Sequence, residues 1–213
     1  MSGGGGTGGE DPRLQEAEGR FRHSLETFRE LIAGVEDPAQ RQQLEEALAE
    51  LALVDDITGL HNRRSFILLA EQALKEAIRA GRPVIALFLD VDGLKAINDN
   101  YGHREGNRAL RLVAAALRAA CRDSDIISRL SGDEFAILLA EATELDGLEG
   151  RVRGRLAEAA AEAPYPLAVS IGVAHLEAGS KCTLADLFER ADRAMYREKA
   201  SKRDQRQEAD SNG

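Results

Sequence analysis

Apolar positions recur along this chain with two different periods, and each change of period marks an element. From Arg13 to about Ala33, Phe21, Leu25, Phe28 and Ile32 recur at steps of four, three and four, one face of a helix. Gly34 ends that pattern. Asp37-Pro38 then reads as an N-cap with proline at the first helical position. It predicts a second helix from Pro38 to about Val54, with a stripe of Leu44, Ala47, Leu48 and Leu51. Asn62 predicts a cap for a helix over Arg63 to Ala80, which Gly81 and Pro83 end. Val84–Leu89, VIALFL, is a continuous apolar run and so a buried strand, with Asp90 at its C-terminal end. A polar loop with a short helical turn follows, then an Ala/Leu-rich helix from about Glu105 to Cys121. Asp125–Leu130 and Phe135–Leu139 are short apolar runs around Ser131-Gly132, a hairpin turn with Asp133 and Glu134 at its tip. A helix over about Glu144–Ala161, a strand over Leu167–Val173 and a helix from about Thr183 to Lys202 complete the pattern.

From Val84 the order is strand, helix, strand, strand, helix, strand, helix. This is a split βαβ arrangement of the ferredoxin-like or palm kind, an α+β fold whose antiparallel sheet carries helices on one face. It lets the first strand lie beside the hairpin, so that Asp90 approaches Asp133. The expected organisation is a Gly-rich disordered leader over 1–12, a helical pair over 13–54, a main domain over 55–203 and a polar tail over 204–213. The two N-terminal helices are too small to bury their own stripes. Pairing with a second copy and packing on the main domain both remain open.

Composition narrows the function classes. A net charge of −9 argues against a general nucleic-acid binder but not against one nucleotide in a locally basic pocket. Cys121 and Cys182 lack metal-site spacing and fit a reduced, cytoplasmic protein. No apolar run approaches membrane-spanning length, and MSGGGGTGGEDPR is not a signal peptide.

Five stretches carry candidate chemistry, and each also has an ordinary reading. SGDE at 131–134 presents two acids that suit a hard cation such as magnesium, yet polar hairpin turns look the same. In LFLDVDGLKAIND, residues 87–99, Gly93 lets backbone approach a ligand, the amides of Gly93 and Leu94 suit phosphate oxygens, and Lys95 adds charge. The ordinary reading is a strand-ending Asx turn. In NDNYGHREGN, residues 98–107, Asn98 and Asn107 suit a base edge and His103 a phosphate; caps and turns use the same residues. Arg122 and Asp125 stand three apart before the hairpin, and a surface ion pair is the plain alternative. Lys199, Lys202 and Arg203 sit where a helix C-terminus favours positive charge.

Taken together and in order, DDITGLHNRR, LDVDGLKAIND, YGHREGN, RDSD, RLSGDEF and DRAMYREK resemble the GGDEF domain of diguanylate cyclases, over roughly two thirds of the chain. The resemblance implies a magnesium- or manganese-dependent enzyme. It would condense two GTP into cyclic di-GMP as a cytoplasmic homodimer, releasing two pyrophosphates. By motif position, Asp90, the Val91 carbonyl and Asp133 would bind metal, with Glu134 supporting it, and Asp133 or Glu134 would take the proton. Asn98, His103 and Asn107 would contact the nucleotide, with 98 and 107 at the guanine edge. Gly93, Leu94, Lys95, Lys199 and Arg203 would hold phosphates, and Arg122 and Asp125 would form an inhibitory product site.

Three residues depart from the family pattern. Ser131 replaces the first glycine of the signature, Asn107 an aspartate, and Lys202 the glycine usual before the arginine. Asn107 raises a relaxed cyclase that also uses ATP. A silent module that only binds GTP or cyclic di-GMP, and a dimerising scaffold built on the N-terminal helices, are the competing readings.

Overall fold

The computed structural model describes residues 27, 30–51, 53–139, 147–161 and 163–211, with side chains for all of these except 45–51 and 206–211. The chain divides into two compact units, Met1–Ala52 and Leu53–Gly213. In the first, residues 30–33 are helical and Gly34 ends the turn. Helix α1 (Pro38–Leu51) starts as expected: the Asp37 carboxylate accepts the Ala39 N–H at 3.0 Å. The leader and Phe21, Leu25 and Phe28 lie outside the described residues, as do the side chains of Ala47, Leu48 and Leu51.

The second unit opens with α2 (Arg63–Arg79), capped by Asn62, whose Oδ1 accepts the Ser65 N–H at 3.0 Å. Then follow β1 (Val84–Asp92), α3 (Leu94–Tyr101), α4 (His103–Ala120), β2 (Ile126–Ser131), β3 (Glu134–Leu139), α5 (Leu148–Ala161), β4 (Ala168–Leu176) and α6 (Leu184–Ser211). The strands pair antiparallel in the order β2-β3-β1-β4, which confirms the split βαβ reading and places β1 between β3 and β4.

Helices cover both faces of this sheet, not one. Alternate residues of β1 point opposite ways, and both sets are apolar. Ile85, Leu87, Leu89 and Val91 pack with α3, α4 and α5, around Val113, Leu117 and Val152. Val84 and Ala86, with Phe88 partly buried, pack with α2 and α6 through Phe66, Leu74 and Leu187. Phe66 and Phe188 meet edge to face, centroids 5.2 Å apart. The unbroken run VIALFL is the signature of that double cover.

Four further expectations shift. β1 runs to Asp92, because β4 continues its ladder through Asp90↔Ser170 and Asp92↔Ala168. The loop after it is the two-turn helix α3, held by Leu94 and Ile97 three residues apart on its buried side. A register shift between Arg129 and Ser131 moves the hairpin turn to Gly132-Asp133, so Ser131 pairs with Glu134 and Glu134 lies in β3, not at the tip. The last helix continues past Lys202 to Ser211, through the segment expected to be a tail.

Candidate active site

The pairing of β1 with β3 brings the acids together. Asp90 lies directly across from Glu134, and the Val91 N–H donates to the Asp133 carbonyl at 3.0 Å. Phe135, fully buried, anchors the strand behind the turn. Asp90 is itself buried, 7% exposed. Burial raises its pKa above the usual carboxylate range; the Lys199 ammonium opposes the rise, and the Asp133 carboxylate adds to it. Lys199 Nζ stands 2.6 Å from Asp90 Oδ1.

This donor set fits a hard divalent cation. Asp90 and Asp133 concentrate negative charge in a partly desolvated place, and Lys199 supplies the neutralising charge there. Among the described residues no group of three or more metal-binding side chains forms. Two carboxylates, completed by substrate phosphates, is the mode magnesium favours. Glu134 is nearby, but its Oε2 accepts the Ser131 hydroxyl. The serine that replaces a signature glycine therefore orients the second acid.

An arginine braces the turn. Arg129 binds the Asp55 carboxylate with Nη1 at 2.9 and 3.1 Å and donates to the Gly132 carbonyl at 2.7 and 3.0 Å. Asp55 also accepts from the Thr58 N–H and hydroxyl. The opening DDIT segment thus holds the signature hairpin, a role sequence reading missed. Its only trace was one acid and one arginine, 74 residues apart.

The phosphate and base candidates line α3 and α4. Gly93 sits at φ 74° as the N-cap of α3, a left-handed conformation that suits glycine and leaves the first amides of that helix beside the acids. Lys95 and His103 are exposed. Asn98 is on α3, and its amide presses on Gly106 of α4: a Cβ at 106 would fall 1.9 Å from Asn98 Oδ1. Asn107 follows, half-buried. Asn98 therefore sits on a helix rather than in the expected loop, and Asn107 lies in the helix expected from about Glu105. The Tyr165 hydroxyl donates to the Glu105 carbonyl at 2.9 Å and braces the start of α4.

Lys199 and Arg203 lie one turn apart on α6, with Lys199 on Asp90 and Arg203 exposed. Lys202 reaches Asp92 at 3.2 Å, and Ser170 donates to Asp92 at 2.7 Å. Neither contact was foreseen from the sequence.

Arg122 and Asp125 lie apart from this group. They precede β2, whereas the acidic turn follows it, a separation of roughly 20 Å along a six-residue strand. Asp125 accepts the backbone N–H of Arg122 at 2.8 Å, and the guanidinium is exposed. Beside them, burial and then the Asp125 charge push the Cys121 thiol up to about 12, so it is no nucleophile near neutral pH.

Comparison with known proteins agrees with this geometry. The sequence profile of the family described as "Diguanylate cyclase, GGDEF domain" matches residues 52–205. Diguanylate cyclase DgcP of Pseudomonas aeruginosa is 36% identical over 200 residues, covering 89% of this chain and 28% of DgcP. Response regulator PleD of Caulobacter vibrioides is 35% identical over 190 residues, covering 82% of this chain and 41% of PleD. This chain thus spans well under half the length of either relative. Among solved structures, SiaD of Pseudomonas aeruginosa, a diguanylate cyclase in complex with its activator SiaC, superposes with a TM-score of 0.64 at 30% identity, covering 89% of this chain and 75% of that one. The GGDEF domain of DgcB from Caulobacter crescentus, in complex with c-di-GMP, gives 0.63 at 28% identity, covering 70% and 91%.

Proposed function

Since the chain belongs to the GGDEF diguanylate cyclase family, we propose that it condenses two GTP molecules into cyclic di-GMP, with magnesium or manganese and as a homodimer. The observation that carries this reading is the convergence of Asp90 and Asp133 across adjacent strands, with Lys199 on the shared charge.

Asp90, the Val91 carbonyl and Asp133 would hold the cation, with Glu134 in support. The chemistry it supplies when bound is neutralisation of the triphosphate and a lower pKa for the attacking 3′-hydroxyl. The protein's own groups do the rest. Amides at Gly93 and Leu94, with Lys95 and Arg203, bind phosphate oxygens. Lys199 turns from Asp90 to the triphosphate once nucleotide is bound. Asn98 and Asn107 read the base, and His103 contacts the nucleotide. Asp133 or Glu134 accepts the 3′-hydroxyl proton. The 3′-oxygen forms its bond to the α-phosphorus of the facing GTP, and the bond to pyrophosphate breaks.

Each domain holds one GTP, so two domains must face each other, and the two-fold product matches a two-fold dimer. The segment 13–54 is suited to set that pairing. Arg122 and Asp125, remote from the acids, are suited to bind product and inhibit. A GTP-consuming reaction of this kind belongs in the cytoplasm; no helix among the described residues is long and apolar enough to cross a membrane.

Asn107 favours a second reading, a cyclase that also accepts ATP. An amide lacks the charge that makes a carboxylate a strong acceptor for two guanine hydrogens. Incubation with GTP and magnesium, with and without ATP, followed by mass identification of the product, tests both. Cyclic di-GMP from GTP alone, lost in Asp133→Ala, supports the main reading. No dinucleotide product from dimeric protein sinks it.

A further inference from the structure

Beyond Met195, no described residue of α6 is buried. From Tyr196 the helix reads YREKASKRDQRQEADS, with no large apolar side chain after that exposed tyrosine. Hydrophobic burial therefore does not hold the turns that carry Lys199 and Arg203. Upstream the helix is pressed onto the sheet at Gly172, where a Cβ would fall 2.0 Å from the Ala191 carbonyl oxygen and 2.2 Å from the Met195 nitrogen. Downstream, polar contacts must do the holding.

Lys202 makes most of them. Its Nζ lies 2.8 Å from Glu198 Oε1, 2.9 Å from the Val169 carbonyl, 3.2 Å from Asp92 Oδ2 and 3.3 Å from Ser170 Oγ. Those acceptors are preset. Ser170 is fully buried and donates to the other Asp92 oxygen at 2.7 Å, and the Asp92 side chain is 9% exposed. Glu198 is held in turn by Arg153 of α5 at 2.6 Å. The ammonium thus ties α6 to β1 and β4, and through Glu198 to α5. Asp92 is committed to this lock, which separates its role from that of Asp90 two residues earlier.

Resting on the cyclase reading, we propose that Lys202 is a positioning residue for the triphosphate: it pins the polar stretch of α6 beyond Met195 so that Lys199 and Arg203, one turn apart, face the end of β1 together. Lys202 stands where the family pattern has a glycine. Glycine there weakens a helix, whereas lysine extends it and supplies the anchor. Here α6 continues to Ser211.

The test uses the full chain with magnesium and compares calorimetric binding of a nonhydrolysable GTP analogue with that of guanosine. Lys202→Met keeps the stem and removes the charge. The GTP analogue should bind about tenfold more weakly, the scale of losing hydrogen bonds to a charged group. Guanosine, which lacks phosphates, should bind unchanged. Ser170→Ala, which leaves the helix surface alone, should weaken the analogue in the same direction by about threefold. It decides the matter should the methionine variant not fold. Unchanged analogue binding in both variants, or equal losses for analogue and guanosine, would overturn the proposal. If the wild type binds the analogue but makes no cyclic dinucleotide, the cyclase reading fails while the binding comparison still judges Lys202.

Discussion

The Val91 N–H donates to the Asp133 carbonyl at 3.0 Å, and this one backbone bond stitches the hairpin turn to the strand that carries Asp90. Two carboxylates are thereby held side by side although like charges repel. Burial raises the Asp90 pKa most, and Asp133 adds to the rise. Asp133→Ala should therefore lower the Asp90 pKa, seen by carboxyl NMR, and should reduce cyclase activity by at least about a hundredfold. An unchanged Asp90 titration would mean that the two acids do not interact.

The raised pKa also sets a pH dependence. The native state holds the Asp90 proton more tightly than the unfolded chain does. Its stabilising contribution is full below the ordinary carboxylate value and is lost as pH rises through the raised one. Cation binding needs the carboxylate and so runs the other way. Magnesium affinity should fall as pH drops through the raised Asp90 value. Titrations at several pH values check this, with Asp90→Asn as the control that removes both the affinity and its pH dependence.

Gly106→Ala should separate base binding from folding. The new methyl would strike the Asn98 amide, the movable end of a side chain, so that amide rotates away while the helices stay packed. The expected result is KM for GTP raised about tenfold with little change in melting temperature. Loss of fold instead would show that the contact is structural.

Asn107→Asp tests base choice. A carboxylate at this half-buried position restores a charged acceptor for the guanine edge. The kcat/KM ratio of GTP over ATP should rise about tenfold or more. Equal ratios in the two proteins would remove Asn107 from base recognition.

Arg129→Met removes the brace under the turn. It leaves Asp55 without its charged partner at a site where the side chains are 10% and 21% exposed. Breaking such a pair costs about 3 kcal/mol, readable in urea denaturation. Arg129→Lys should recover only part of that, because one ammonium does not reproduce the fork that serves Asp55 and the Gly132 carbonyl at once. Full recovery with lysine would reduce Arg129 to a point charge.

Much of this was legible in the chain. The cap at Asn62, the buried run at 84–89 and the hairpin around the signature follow from local propensity and period, and their order specifies the split βαβ sheet. That topology by itself brings the acids at 90 and 133 toward each other. The turn position was not legible, because the register shift between Arg129 and Ser131 depends on the partner strand. Helix α3 was legible only as a short turn, since in LKAINDNY just Leu94 and Ile97 meet the core.

The linear pattern by itself determined which elements form, because backbone periodicity and capping act between near neighbours. It also determined the acidic residue types that a nucleotide site needs. Tertiary structure alone decided which charges meet. Arg129 finds Asp55, Lys199 finds Asp90, and Lys202 finds Asp92 and Ser170 across long separations. Such pairs carry no local signal, since each charge could be solvated equally well until packing brings its partner within reach and removes the water.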